Sequence, residues 1–201
     1  MIPGTRFVIS SIALAAALLS VLAVASDKGF QAAPASDYAH QSSDQVTVGA
    51  KPFGSEELTA EAFGKKTDLL KYGVLPVLVV VENKRDKAID LREIEVSLVA
   101  SDGRHANSVS PEDVPFLATT GKHPSQTGVR VPLPKKKNPL DTPSIVERAF
   151  SAKMLPPGDS ANGFFYFEAK PEDGDKIYLN GLRDARSGQE ITYFEFPIGR
   201  N

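Results

Sequence analysis

Short apolar runs with a period of two, separated by turn residues, dominate this chain. Val74-Leu75-Pro76-Val77-Leu78-Val79-Val80-Val81-Glu82-Asn83 is the strongest. β-Branched residues fill both faces of its middle, as in a central strand covered on both sides. Pro76 has no amide proton, which places it near the strand start or at a bulge. In residues 91–99, Ile94, Val96 and Leu98 alternate with Glu93, Glu95 and Ser97. That spacing predicts one buried and one wet face. Val46 and Val48 alternate with polar neighbours and open a sheet. Residues 150–155, 163–169, 176–183 and 190–197 read as further strands. Asp102-Gly103, Asp173-Gly174 and Ser187-Gly188 supply the turns between strands.

Helical signals are short. Residues 56–71 mix helix formers with Gly64 and Thr67, leaving room for one helical turn around 68–71. Ser110-Pro111-Glu112-Asp113 reads as the start of a helix ending near Thr119, with Ser110 as cap, Pro at the first position and acids at the positive end. Pro143 to Arg148 allows one more turn. Residues 120–142 form a loop rich in Pro and Gly, with room for a strand at 129–131. About seven short strands with turns between them predict an all-β antiparallel sandwich with one or two short helices in the connections. The long helices that a doubly wound sheet requires are missing.

The first 25 residues follow a different pattern. Arg6 precedes the charge-free run 7–25, which closes on Ala23-Val24-Ala25. This is the layout of a secretory signal peptide with small residues at the cleavage site. An uncleaved anchor is the competing reading, since ~18 apolar residues span a bilayer. Ser10, Ser11 and Ser20 interrupt the run, which favours cleavage. Residues 26–44 are rich in Ala, Ser, Gln and Asp and read as a flexible lead. Residues 45–201 then form a single domain, exported to the periplasm or the extracellular space. No second long apolar run follows, so no stable membrane span is expected in the mature chain.

Composition narrows the chemistry. Loss of residues 1–25 removes only Arg6, leaving 22 basic and 25 acidic residues and a formal charge of −3. This balance gives no electrostatic case for nucleic acid. The chain has no cysteine, which excludes disulfides, thiolate nucleophiles, thiolate metal sites and the cysteine-anchored lipoprotein route.

Two segments resemble bacterial exported immunoglobulin-like domains of unassigned function. One is Val77-x-Val79-x-Val81-x-Asn83, followed by Asp86 and Ile89. The other is Leu155-Pro156-Pro157-Gly158-Asp159-Ser160-x-x-Gly163-Phe164-Phe165-Tyr166-Phe167. The resemblance implies a core strand ending in an Asn-led turn, and a proline-glycine loop entering a late strand. The long loop 120–142 and the helix at Pro111 exceed what a minimal sandwich needs.

No constellation of catalytic, cofactor-binding or metal-ligating residues emerges. His40, His105 and His123 lack metal-helix spacing, although His105 and His123 are candidates to meet a carboxylate in space. Ser110 reads as a helix cap rather than a nucleophile. Glu172-Asp173-Gly174-Asp175 lacks the rest of a calcium loop and reads as a solvated turn. Glu93 and Glu95 read as the wet face of a strand rather than a glycosidase pair. Lys135-Lys136-Lys137, among prolines, reads as an extended solvated run available to anionic lipid, glycan or an acidic partner patch. Phe164 to Phe167 must point to both strand faces, so one pair lies under a loop, a helix or a partner. The expectation is a non-catalytic exported protein that binds a protein or envelope partner or supports the envelope. The alternatives are a secreted hydrolase with a loop-built site and a module that captures an extended strand. No cofactor is expected.

Overall fold

The computed structural model describes residues 30–118, 138–170 and 172–198. The signal segment, His123, the strand proposed at 129–131 and Lys135 to Lys137 lie outside them. The strands are β1 (Ala39–Ser43), β2 (Val46–Pro52), β3 (Val74–Asn83), β4 (Ile89–Asp90), β5 (Glu95–Val99), β6 (His105–Asn107), β7 (Met154–Leu155), β8 (Ser160–Glu168), β9 (Lys176–Asn180), β10 (Arg183–Asp184) and β11 (Phe194–Pro197). The helices are α1 (Glu56–Phe63), α2 (Val114–Leu117) and α3 (Pro143–Glu147).

Two four-stranded antiparallel sheets, β1-β2-β3-β8 and β11-β9-β5-β6, face each other. A small sheet, β10-β4-β7, joins them. The orders β2-β3-β8 and β11-β9-β5-β6 correspond to the A-B-E and G-F-C-C′ orders of an immunoglobulin-type sandwich. The all-β sandwich read from the sequence is therefore the observed fold.

β3 explains the layering. Leu75, Val77, Val79 and Val81 turn toward the second sheet and meet Val96, Leu98, Ile177, Leu179, Phe194 and Phe196 in one core. Val74, Leu78 and Val80 turn the other way, into a second core with Phe63 of α1, Val114 of α2 and Ile145 of α3. The aromatic run on β8 divides by the same parity. Phe167 joins the core between the sheets, while Phe164 and Tyr166 lie in the second core. The Tyr166 hydroxyl donates to the Ile145 carbonyl at 2.7 Å, and burial pushes its pKa up. Phe165 stacks on Phe150, with centroids 5.4 Å apart. Neither pair is left for a partner.

The two segments that carried the family resemblance dock on each other. Asn83 is 1 % exposed, and its side-chain NH2 donates to the carbonyls of Lys87 (2.8 Å), Leu155 (3.0 Å) and Pro156 (3.0 Å). Its side-chain oxygen accepts from the Arg85 amide at 3.1 Å, the expected Asn-led turn. Gly158 N–H donates to the Asn83 carbonyl at 2.8 Å. The close approach of residues 149–150 to β8 requires Gly163. A Cβ there would stand 2.4 Å from the Phe150 Cα.

Several sequence expectations change. The described part of the flexible lead is ordered. Ala35 is fully buried, and its amide donates to the Glu82 carboxylate at 2.8 Å. β1 pairs with β2 from Ala39 to Ser43. Its polar side chains need no apolar face, because the ladder is made by backbone. The two-residue turn Asp44-Gln45 has φ of 47° and 60°, the positive pair of a tight hairpin, but without the usual glycine. The helix expected from Ser110 begins at Val114 instead. The Ser110 carbonyl accepts from Asp113 and Val114 in a preceding turn, and its hydroxyl donates to Glu112 rather than capping. The expected strand 150–155 is reduced to β7, because Arg148 and Phe150 bond the Phe164 backbone at the border of β8. The ambiguous stretch 56–71 resolves into α1 and, as expected near 68–71, a short helical turn at Leu70–Tyr72. The Ser55 hydroxyl accepts from Leu58 N–H at the start of α1, and Gly64 ends it.

Candidate binding face

Among the described residues, no helix packs on the outer face of the β11-β9-β5-β6 sheet, which leaves it open. On β9, Ile177 and Leu179 turn inward, so Lys176, Tyr178 and Asn180 turn outward. On β11 the inward pair is Phe194 and Phe196, which leaves Glu195 outward. Register sets Tyr178 between Glu195 and Ser97, and Asn180 beside Glu95. Tyr193, just before β11, is 62 % exposed. Its ring lies nearly parallel to that of Tyr178, at 22° and with centroids 6.3 Å apart. Tyr178, Asn180, Glu190, Thr192 and Tyr193 line a hollow of about 560 Å³. A neighbouring hollow of about 480 Å³ shares Asn180 and Glu190 and adds Arg92, Glu93, Glu95 and Arg183.

The charges on this face are partly paired. Lys176 Nζ lies 2.6 Å from Glu195 Oε1. Glu195 also hydrogen-bonds the Tyr178 hydroxyl. These bonds hold the Glu195 carboxyl below its ordinary range, first through Lys176 and then through Tyr178. They raise the pKa of Lys176 and of Tyr178. Arg183 Nε stands 3.0 Å from Glu93 Oε2. Arg92 forks onto Asp90, with Nε at 3.0 Å and 3.1 Å from the two oxygens, and its hydrogen bonds hold the Asp90 pKa at about 2. Among the described residues, Glu95 and Glu190 are left without a basic partner. The face thus combines flat aromatic area, amide and hydroxyl groups, and two carboxylates outside any ion pair of the described residues.

The residues singled out from sequence lie elsewhere or serve the fold. His40 is on exposed β1, its Nδ1 2.9 Å from the Tyr38 carbonyl. His105 is on exposed β6 and borders a cleft of about 470 Å³ with Arg104, Glu168, Lys170 and Glu172. Among the described residues, no group of three His, Cys, Asp or Glu side chains is placed to hold a metal. The acidic turn is tied to backbone amides: Asp175, itself buried, accepts from Ser101 N–H at 3.0 Å and, within the turn, from Glu172 N–H at 2.9 Å. Glu93 and Glu95 diverge in role, since Glu93 pairs with Arg183 and Glu95 stands on the open face. Sequence reasoning directed attention to Phe164–Phe167 and passed over Tyr178 and Tyr193. The available signal was their place at wet positions of two period-two strands, Lys-Ile-Tyr-Leu-Asn and Tyr-Phe-Glu-Phe-Pro.

Among the described residues no helix is long and apolar enough to cross a membrane. No protein-family model matches the chain, and no curated protein matches it. Several solved structures are similar at low identity. A candidate lipoprotein of Bacillus subtilis is 14 % identical with a TM-score of 0.39, over 80 % of this chain and 38 % of its own length. A functionally unknown protein of Listeria monocytogenes is 12 % identical with a TM-score of 0.38, over 80 % and 81 % of the two chains. The secreted protein MPT63 of Mycobacterium tuberculosis is 15 % identical with a TM-score of 0.33, over 75 % and 84 %. This chain thus spans well under half of the Bacillus protein.

Proposed function

We propose that the protein is an exported, non-catalytic recognition module that binds a partner through the outer face of β11-β9-β5-β6. The observation that carries this reading is the contrast between a roofed sheet and an open one. The outer face of β1-β2-β3-β8 lies under α1, α2 and α3. The open sheet presents Tyr178 and Tyr193 beside Asn180, Glu95 and Glu190. Export is supported by Arg6, the charge-free run 7–25 and its Ala-Val-Ala exit. The finer reading, a bacterial exported immunoglobulin-like domain, is supported by the two quoted motifs and the strand order.

Strand capture needs a bare sheet border, and the borders at β8 and β11 are partly occupied. Val109 N–H donates to the Tyr166 carbonyl at 2.7 Å, and Phe150 N–H to that of Phe164 at 3.1 Å, along β8. Gln41 Oε1 accepts from Glu195 N–H at 3.0 Å on β11. The test is amide-shift mapping of the full chain against envelope glycan and peptide fractions, with cell fractionation of the expressed chain. Shifts clustered on Tyr178, Asn180 and Tyr193, with export, are expected. Shifts confined to the cleft at His105, accompanied by turnover that His105→Ala abolishes, would replace this reading with the hydrolase. Retention in the cytosol would remove the export.

A further inference from the structure

Resting on that reading, we infer that the ligand of the open face is a basic segment of a partner protein, whose arginine or lysine side chain seats against Tyr193 and Tyr178 beside Glu190 and Glu95. Three features converge on a cation. The face of a phenol ring carries negative potential and attracts a guanidinium or ammonium. Glu190 borders the hollow that holds both rings, and it also borders the neighbouring hollow that holds Glu95. Neither carboxylate has a basic partner among the described residues, whereas Glu93 and Glu195 are each ion-paired, and Arg92 of the same hollow is held by Asp90.

An anionic ligand would approach two unpaired carboxylates and be repelled. A neutral sugar would use the rings and Asn180 but gain nothing from the charges. An arginine uses all of them. Its planar group stacks on an aromatic face and donates in a fork to a carboxylate. Glu190 Oε1 also accepts weakly from Gly181 N–H, at 3.4 Å, which leaves Oε2 for a ligand. The chain's own formal charge of −2 complements a basic partner.

The test uses the full chain at low ionic strength and three probes: a Gly/Ser peptide carrying two arginines, the same peptide with citrulline in their place, and a neutral chito-oligosaccharide. The arginine peptide should shift the amides of Tyr178, Asn180 and Tyr193, and the citrulline peptide should bind about tenfold more weakly. Tyr193→Ala and Glu190→Gln should each weaken the arginine peptide several-fold. Tyr193→Phe should retain it, and Glu190→Gln should flatten its salt dependence. Equal binding of the citrulline peptide, or tighter binding of the oligosaccharide on the same amides, overturns the cationic assignment and leaves the face as a binding surface. No shift on this face with any probe overturns the cationic assignment. No shift there with any envelope fraction either overturns the face itself.

Discussion

The two large sheets are built from the same kind of strand and end in opposite circumstances. In β3 every residue but Glu82 is buried, and the run reads as almost continuous Val and Leu. In β9 and β5 burial alternates residue by residue. The continuous run reports a sheet with cores on both sides, and the alternating run reports one free side. On the covered sheet each side chain is dictated by packing. On the free side packing dictates little, and tyrosines and unpaired carboxylates gather there.

Substitutions can break this contrast, and the most disruptive is Phe164→Ala. It should cost ~4 kcal/mol in urea unfolding if the helical roof is integral to the core. A cost below ~1 kcal/mol would mean that the roof merely drapes over the sheet. Asn83→Ala follows, at ~3 kcal/mol, because three carbonyls lose one buried amide. Tyr166→Phe should cost ~1 kcal/mol by removing the bond to the Ile145 carbonyl.

The joining sheet adds an acid-sensitive tie. Asp184 accepts from the amides of Ser187 and Arg186 and faces Arg85 Nη2 at 3.0 Å. The Ser187 amide is the main cause of its pKa falling from 3.8 to about 2. A depressed carboxylate stabilises the fold above its unfolded pKa and ceases to as it is protonated. That stability should therefore fade as the pH drops from 3.8 toward 2. Acid titration of Asp184→Asn against the parent, followed by circular dichroism, should show a smaller loss in the variant, because the depressed carboxyls of Asp90 and Glu195 remain in both. The smallest effect is expected of Tyr193→Ala, within ~0.5 kcal/mol of the parent in unfolding. A larger loss would mean that Tyr193 serves the core and that the open face is less open than described.

The legible parts were those where burial imposes a local period. β3, the inward residues of β5 and β9, and the turn at Asp102-Gly103 follow from a few neighbouring residues. α1 had its signals in place, Ser55 before Glu56-Glu57 and Gly64 after Phe63, but a window running to Lys71 diluted them. β1 was hidden because its polar residues earn their place through backbone pairing, and Asp44-Gln45 make their turn without glycine. The joint between Asn83 and Pro156 is a contact between residues 73 positions apart, and no local pattern encodes which carbonyls an amide will meet. The candidate face was missed for a related reason. Tyr178 and Tyr193 become neighbours only when β9 pairs with β11.

β1 also acts as a clasp. It covers the outer edge of β2, and Gln41 fills the gap to Glu195 on β11. A chain shortened to begin at Gln45 would bare two strand rims together, each with an unfilled row of amides and carbonyls. Such a product should self-associate at concentrations where the intact chain scatters no light, which makes the first hairpin a guard against clumping.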